Sequence, residues 1–144
     1  LTHRMLLITC GAQASPMVPQ LTAALADQDP VVRGLVAIAL RDVGDAALPA
    51  LDSLIGHLKD DDVNVRMVTA QAIGRQGAKA GSAVAPLIEA CGRADEHVHV
   101  QRSLADALGL IGPAARSGLA ALKELARIPR VRWAAELAIR RIGG

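Results

Sequence analysis

The sequence predicts an all-α protein, a right-handed solenoid of stacked helical hairpins. Three observations carry this. The chain holds 28 Ala and 19 Leu in 144 residues, with one Trp and no Phe or Tyr. Strands draw on aromatic and β-branched residues, so such a composition suits closely packed helices better than a sandwich or barrel. Gly11, Gly44, Gly77, Gly112 and Gly143 recur at intervals of 33, 33, 35 and 31 residues, as repeated helical units do. Between them, apolar residues recur at helical spacing, as in Leu51, Leu54, Ile55 and Leu58, which gives one apolar stripe per helix.

The glycines set the frame for each element. A first helix carries an apolar residue ten positions after each marker: Leu21, Leu54, Leu87 and Leu122. An acidic turn follows in three units: Asp27-Gln28-Asp29-Pro30, Asp60-Asp61-Asp62 and Asp95-Glu96. Carboxylates there can accept the free N–H groups of the next helix and complement its positive end. Pro30 and Pro129 suit a first helical turn, where the missing N–H costs nothing. Second, Ala-rich helices are expected over 31–43, 63–76, 98–111 and 131–142. Glycine then ends each one in the left-handed conformation. A lone hairpin of this size cannot bury its stripe, whereas stacked hairpins share a continuous core. The chain therefore reads as one domain over residues 1–144. It is expected to comprise a partial unit (1–11) and four full units (12–44, 45–77, 78–112 and 113–144) and to be a fragment of a longer chain.

Asp-x-Asp-Pro-x-Val-Arg (27–33), Asp-Asp-Asp-Val-Asn-Val-Arg (60–66) and the endings Ala-Ile-Gly (72–74) and Ala-Leu-Gly-Leu-Ile-Gly (107–112) resemble HEAT repeats. They are most similar to the short bacterial HEAT-like kind also found in phycobilisome lyases. The resemblance implies a protein-binding scaffold. It also implies a ladder between neighbouring units, in which Asp27, Asp60 and Asp95 pair with Arg33, Arg66 and Arg132. Gln101 departs from that pattern, as do Ala126 and Ile128 where the fourth turn would carry Asp.

The second helices are expected to line the concave face. By period its ridge holds Val31, Asn64, His99 and Arg130, then Gly34, Met67, Arg102 and Trp133, then Ile38, Gln71, Asp106 and Leu137. Several of these are apolar where solvent is expected, which marks contact surfaces. Met67, His99, Arg102, Arg130, Trp133 and Leu137 are the expected partner-binding residues. Trp and Arg are enriched in interface hot spots. Trp133 reads equally as a cover over the open end of the last unit.

No catalytic, metal or cofactor set stands out. His97 and His99 are two apart, not the four that a helical metal site wants, and His3 and His57 belong to other units. Cys10 and Cys91 fall in apolar slots and read as core thiols. No Gly-rich phosphate loop occurs. The expected function is a non-catalytic scaffold for a protein partner, with a bilin-lyase-like protein or the repeat part of a larger enzyme as the alternative. A second alternative rests on charge. Residues 115–144 hold seven basic and two acidic side chains, a balance of +5, against nine and twelve, or −3, before them. A basic end can meet phosphates, but the single aromatic residue argues against nucleic acid. No apolar run is long enough for a membrane helix. With two Cys and no visible leader, a cytoplasmic protein is expected. The apolar Leu1, Met5, Leu6 and Ile8 leave an uncapped N-terminal end, covered by further chain or by self-association with a second copy.

Overall fold

A computed structural model describes residues 16–143. The predictions for 1–11, including Cys10, Gly11 and the self-associating end, lie outside the described residues. The described residues form no strand. They make a two-layer α-solenoid of helical hairpins.

The first unit comprises α1 (Val18–Ala24) and α2 (Pro30–Val43), the second α3 (Leu51–Gly56) and α4 (Val63–Arg75). The third holds α5 (Val84–Cys91) and α6 (Val98–Ile111), and the fourth α7 (Leu119–Leu125) and α8 (Arg132–Ile142). Gly44, Gly77, Gly112 and Gly143 all take positive φ, between 58° and 98°. A side chain there would be strained, so the recurring glycine is a backbone requirement.

The first helices are not continuous. Seven residues of 3-10 helix precede α3, α5 and α7, over Gly44–Ala50, Gly77–Ala83 and Gly112–Gly118. Ala80 and Ala115 leave helical geometry inside these stretches. Pro49 sits within the first of them, where its ring denies the backbone a donor. The chain thus turns from each glycine into the first layer by a tight, kinked approach.

The second helices are capped as their turns allow. Asp29 Oδ1 accepts from Val31 N at 2.9 Å and Asp62 Oδ1 from Val65 N at 3.0 Å. In the third turn the cap is not an acid. His97 Nδ1 accepts from His99 N at 3.2 Å. Helix α8 starts at Arg132 without a side-chain cap. Pro129 lies in the turn before it, which closes through Val131 N and Arg132 N on the Ile128 carbonyl, both at 2.9 Å.

One apolar core runs through all units. Leu21, Leu25, Leu40, Leu54, Leu87, Leu104, Leu108, Leu122 and Ile142 are all but inaccessible. Each second helix packs on the second helix of the next unit. Two of these contacts are close. A Cβ on Gly74 would lie 3.1 Å from Ala107 Cα, and one on Gly109 would lie 2.8 Å from Ala138 Cα. Gly34, in the middle of α2, meets nothing within 4 Å. Gln76 occupies the slot that holds Val43, Ile111 and Ile142 in the other units. It is 2% exposed, and neither amide atom has a hydrogen-bond partner.

Opposite outcomes follow for three substitutions, each readable by urea denaturation. Gly109→Ala pushes a methyl onto backbone and should destabilise by about 1–3 kcal/mol. Gly34→Ala adds helix propensity in open space and should stabilise by about 0.8 kcal/mol. Gln76→Ile removes two unpaired buried groups and should stabilise by about 1–3 kcal/mol. Equal effects at Gly34 and Gly109 would contradict the close approach of α6 and α8.

Candidate functional site

Two kinds of residue define the working surface: those that fix the stack and those that the stack presents. The first are arginines near the start of the second helices. Arg33 donates from Nη1 to the carbonyls of Asp27 and Gln28, at 2.9 and 3.0 Å, holding its own turn. Its Nε and Nη2 reach Asp60 of the next turn at 2.8 and 3.0 Å. Arg66 repeats this. Nη1 holds the Asp60 and Asp61 carbonyls, while Nε and Nη2 take both oxygens of Glu96 at 2.9 and 3.0 Å.

The acceptor in the third turn is therefore Glu96, not Asp95. Asp95 is exposed and makes no rung. Glu96 stands 30 positions after Arg66, against 27 from Arg33 to Asp60, and its longer side chain faces Arg66. Asp27 caps its own turn, with Oδ1 accepting from Asp29 N at 2.8 Å. Arg132 does not meet Asp95 either. It donates Nε to the Ala126 carbonyl of its own turn at 3.0 Å. Gln101 leaves the third rung without a guanidinium, and Arg102 takes over by donating Nε to the Arg130 carbonyl at 2.8 Å.

Both rung carboxylates are nearly sealed, with side-chain exposures of 6% for Asp60 and 2% for Glu96. Burial by itself would push each carboxyl up. The hydrogen bonds from Arg33 to Asp60 and from Arg66 to Glu96 outweigh it, with help from turn N–H groups. Each pKa ends below its ordinary value.

The presented surface is the outward face of α2, α4, α6 and α8. Trp133 is 73% exposed, so it does not cover the core of the last unit. Arg130 beside it is exposed, and Leu137 is half-buried. Met67 is half-buried and packs against the core. With Val31, Gly34 and Ile38 it lines an apolar groove of about 310 Å³ between α2 and α4. His99 stacks on His97 with ring centroids 5.1 Å apart, and its Nδ1 lies 3.4 Å from Arg102 Nη1. The six expected contact residues thus form no single cavity. Met67 belongs to the first half of the surface, and the other five belong to α6 and to the α8 hairpin.

A second groove, of about 360 Å³, opens between α4 and α6. A polar chain crosses it: Arg41 Nη1 donates to Gln71 Oε1 at 2.6 Å, Gln71 Nε2 to Ser103 Oγ at 3.5 Å, and Ser103 Oγ to the His99 carbonyl at 3.0 Å. Asp106 lies on its wall with Arg75 and Leu110. Desolvation there pushes the Asp106 carboxyl above its ordinary value, although Arg141 and Arg102 pull it down. Arg75, Leu110 and Arg141 stand two positions before their glycines. This fourth row, which the ridge reading omits, is visible in the same period. A third groove, about 510 Å³, lies on the first-helix face between α3 and α5, where Lys59 bridges to Glu89 at 3.1 Å. Its signal in the sequence is Gly56, in a slot that otherwise holds Ala23, Glu89 and Glu124.

Cys91 is half-buried against the core, and desolvation raises its thiol to about 12, so it is not a thiolate at neutral pH. Among the described residues no three His, Cys, Asp or Glu side chains gather as metal ligands, and no helix is long and apolar enough to cross a membrane.

The HEAT-repeat family profile matches residues 51–140. The chain belongs to the HEAT-repeat family. Two crystal structures of engineered proteins from the Northeast Structural Genomics Consortium share its fold. One is 22% identical with a TM-score of 0.72, covering 91% of this chain and 66% of its own. The other is 23% identical with a TM-score of 0.70, covering 88% of this chain and 38% of its own. The HEAT chain thus spans less than two thirds of either. No curated protein matches it significantly.

The rungs give the HEAT stack a defined acid response. A carboxylate with a depressed folded pKa stabilises fully above its unfolded pKa, and that stability is lost as pH falls through the folded value. Wild-type stability should therefore fall as pH drops below about 4.3. Glu96→Gln should cost about 3 kcal/mol at pH 7, since it strands a buried guanidinium, and should flatten that fall. An unchanged acid slope in urea titrations of Glu96→Gln would contradict the rung.

Proposed function

We propose that this HEAT domain is a non-catalytic scaffold that holds a protein partner against the outward face of its second helices. The observation that carries this reading is Trp133. A large aromatic side chain, 73% exposed on a rigid helix, gains more from a partner than it contributes to the fold. Met67 and Leu137 add half-buried apolar surface in neighbouring rows, and Arg130 adds an exposed guanidinium. Trp, Met and Arg are the residue types enriched in the centres of interfaces. Both groove walls belong to packed helices, so the surface is preorganised and little ordering entropy opposes binding.

Photo-crosslinking in the source cells tests this. A benzophenone side chain replacing Trp133 or Met67 should capture a protein, and one replacing Lys123, exposed on α7 in the first layer, should not. Trp133→Ala should leave unfolding within about 0.5 kcal/mol of wild type while weakening the captured complex by about 2 kcal/mol or more. Capture from Lys123 alone, or from none of the three positions, would contradict the reading.

A further inference from the structure

The second-helix face is not uniform. Its rows stand thirteen, ten, six and two positions before each glycine. On α2 and α4 they hold Val31, 52% exposed, with Gly34, Ile38 and Met67, which line the apolar groove, and beside them Asn64, Gln71 and the opposite charges Asp42 and Arg75. On α6 and in the α8 hairpin they hold Arg102, Arg130 and Arg141 against one acid, Asp106, with His99, Leu110, Trp133 and Leu137. The first end carries the apolar groove and balanced charge, and the other end an excess of arginine.

We infer that the partner engages this face through an extended segment about ten residues long, with apolar side chains at one end and carboxylates at the other. The inference rests on the scaffold reading above and names the chemistry of what that scaffold holds.

Length follows from geometry. Neighbouring packed helices lie about 9 Å apart, so the four second helices span about 27 Å from α2 to α8. An extended chain covers about 3.3 Å per residue, which gives roughly eight residues for the crossing, about three per helix, and about ten with one residue beyond each end. Apolar side chains at one end of the segment would lie over the groove that Val31 and Ile38 on α2 and Met67 on α4 line. Its other end would then lie over Arg102, Arg130 and Arg141, with Trp133 among them.

Charge decides the sign and the class. The lysine-free rows carry their fixed positive charge as guanidinium groups, Arg75, Arg102, Arg130 and Arg141, whose fork matches a carboxylate in two parallel hydrogen bonds. The side chains of Arg130 and Arg141 donate no hydrogen bond among the described residues, so their forks are available. A phosphate backbone fits less well. It carries one charge per nucleotide without break, whereas the rows interrupt their arginines with Asp106, which interacts with both Arg102 and Arg141. Nor does it offer apolar groups for the Val31–Met67 end. A peptide can meet both conditions residue by residue.

The experiment is selection of a random twelve-residue peptide library on the immobilised chain, followed by titration of the selected peptides. Trp133 is the chain's only aromatic residue, so its emission reports peptides that lack Trp and Tyr. Selected sequences should be segregated, apolar at one end and rich in Asp and Glu at the other, and should shift that emission. Arg130→Ala/Arg141→Ala should weaken them at least tenfold with an unchanged melting temperature, and Arg130→Glu/Arg141→Glu further still. Neutral or basic selected sequences, no selection at all, or affinity indifferent to both double variants would overturn the inference. So would a DNA duplex that displaces the peptides at physiological salt. If crosslinks from position 133 persist alongside any of these results, the acidic segment is wrong and the scaffold reading stands. Loss of those crosslinks removes both.

Discussion

The structure depends on an arginine that belongs to two units at once. Arg33 and Arg66 each spend one nitrogen on the carbonyls of their own turn and two on a carboxylate of the next. The first contact fixes how a hairpin closes, and the second fixes how the following hairpin sits on it. Because one planar fork makes both, turn geometry and stacking register cannot drift independently. The rungs are sealed enough for bidentate pairing to matter more than it would on an open surface.

Register in turn decides what the second helices can do. Gly74 and Gly109 let α6 and α8 approach their neighbours nearly backbone to backbone. That approach leaves little of the surface to side-chain rearrangement. The rows are therefore held by helices that cannot separate without breaking a rung or a close contact, and a partner meets a template rather than a set of loops. The polar chain from Arg41 through Gln71 to Ser103 ties three second helices together along the floor of that template. The apolar groove lies to one side of this chain and the arginine-rich end to the other.

Much of this was legible in the sequence wherever a single residue type was forced. Positive φ forces glycine, so Gly44, Gly77, Gly112 and Gly143 announced the period. Core slots force apolar residues, so Leu54, Leu87 and Leu122 declared themselves. Trp133 stood out because nothing else in the chain is aromatic. Features that depend on relations between units were harder to read. Glu96 replaces Asp95 in the ladder, and a carboxylate one place along looks identical in composition. Arg102 takes up part of the work of a missing arginine at Gln101 through a contact to the Arg130 carbonyl, which no pattern of side chains encodes. The 3-10 entries to α3, α5 and α7 arise from short connections between a left-handed glycine and a packed first layer, and Ala-rich sequence accepts either helix type. The groove at Gly56 exists because a slot filled elsewhere is empty, and only the stacked neighbour turns that vacancy into a cavity.

Each second helix packs on the second helix of the next unit, so the stack is translational and its stability is a sum over neighbours. Deletion of residues 45–77, which joins Gly44 to Ala78 in register, tests this most directly through urea unfolding of the shortened chain. The shortened chain should be a cooperative, helical protein of lower stability, with Arg33 facing Glu96 and an m-value reduced in proportion to the surface lost. A shortened chain that is unfolded, or that loses helicity without a cooperative transition, would contradict it.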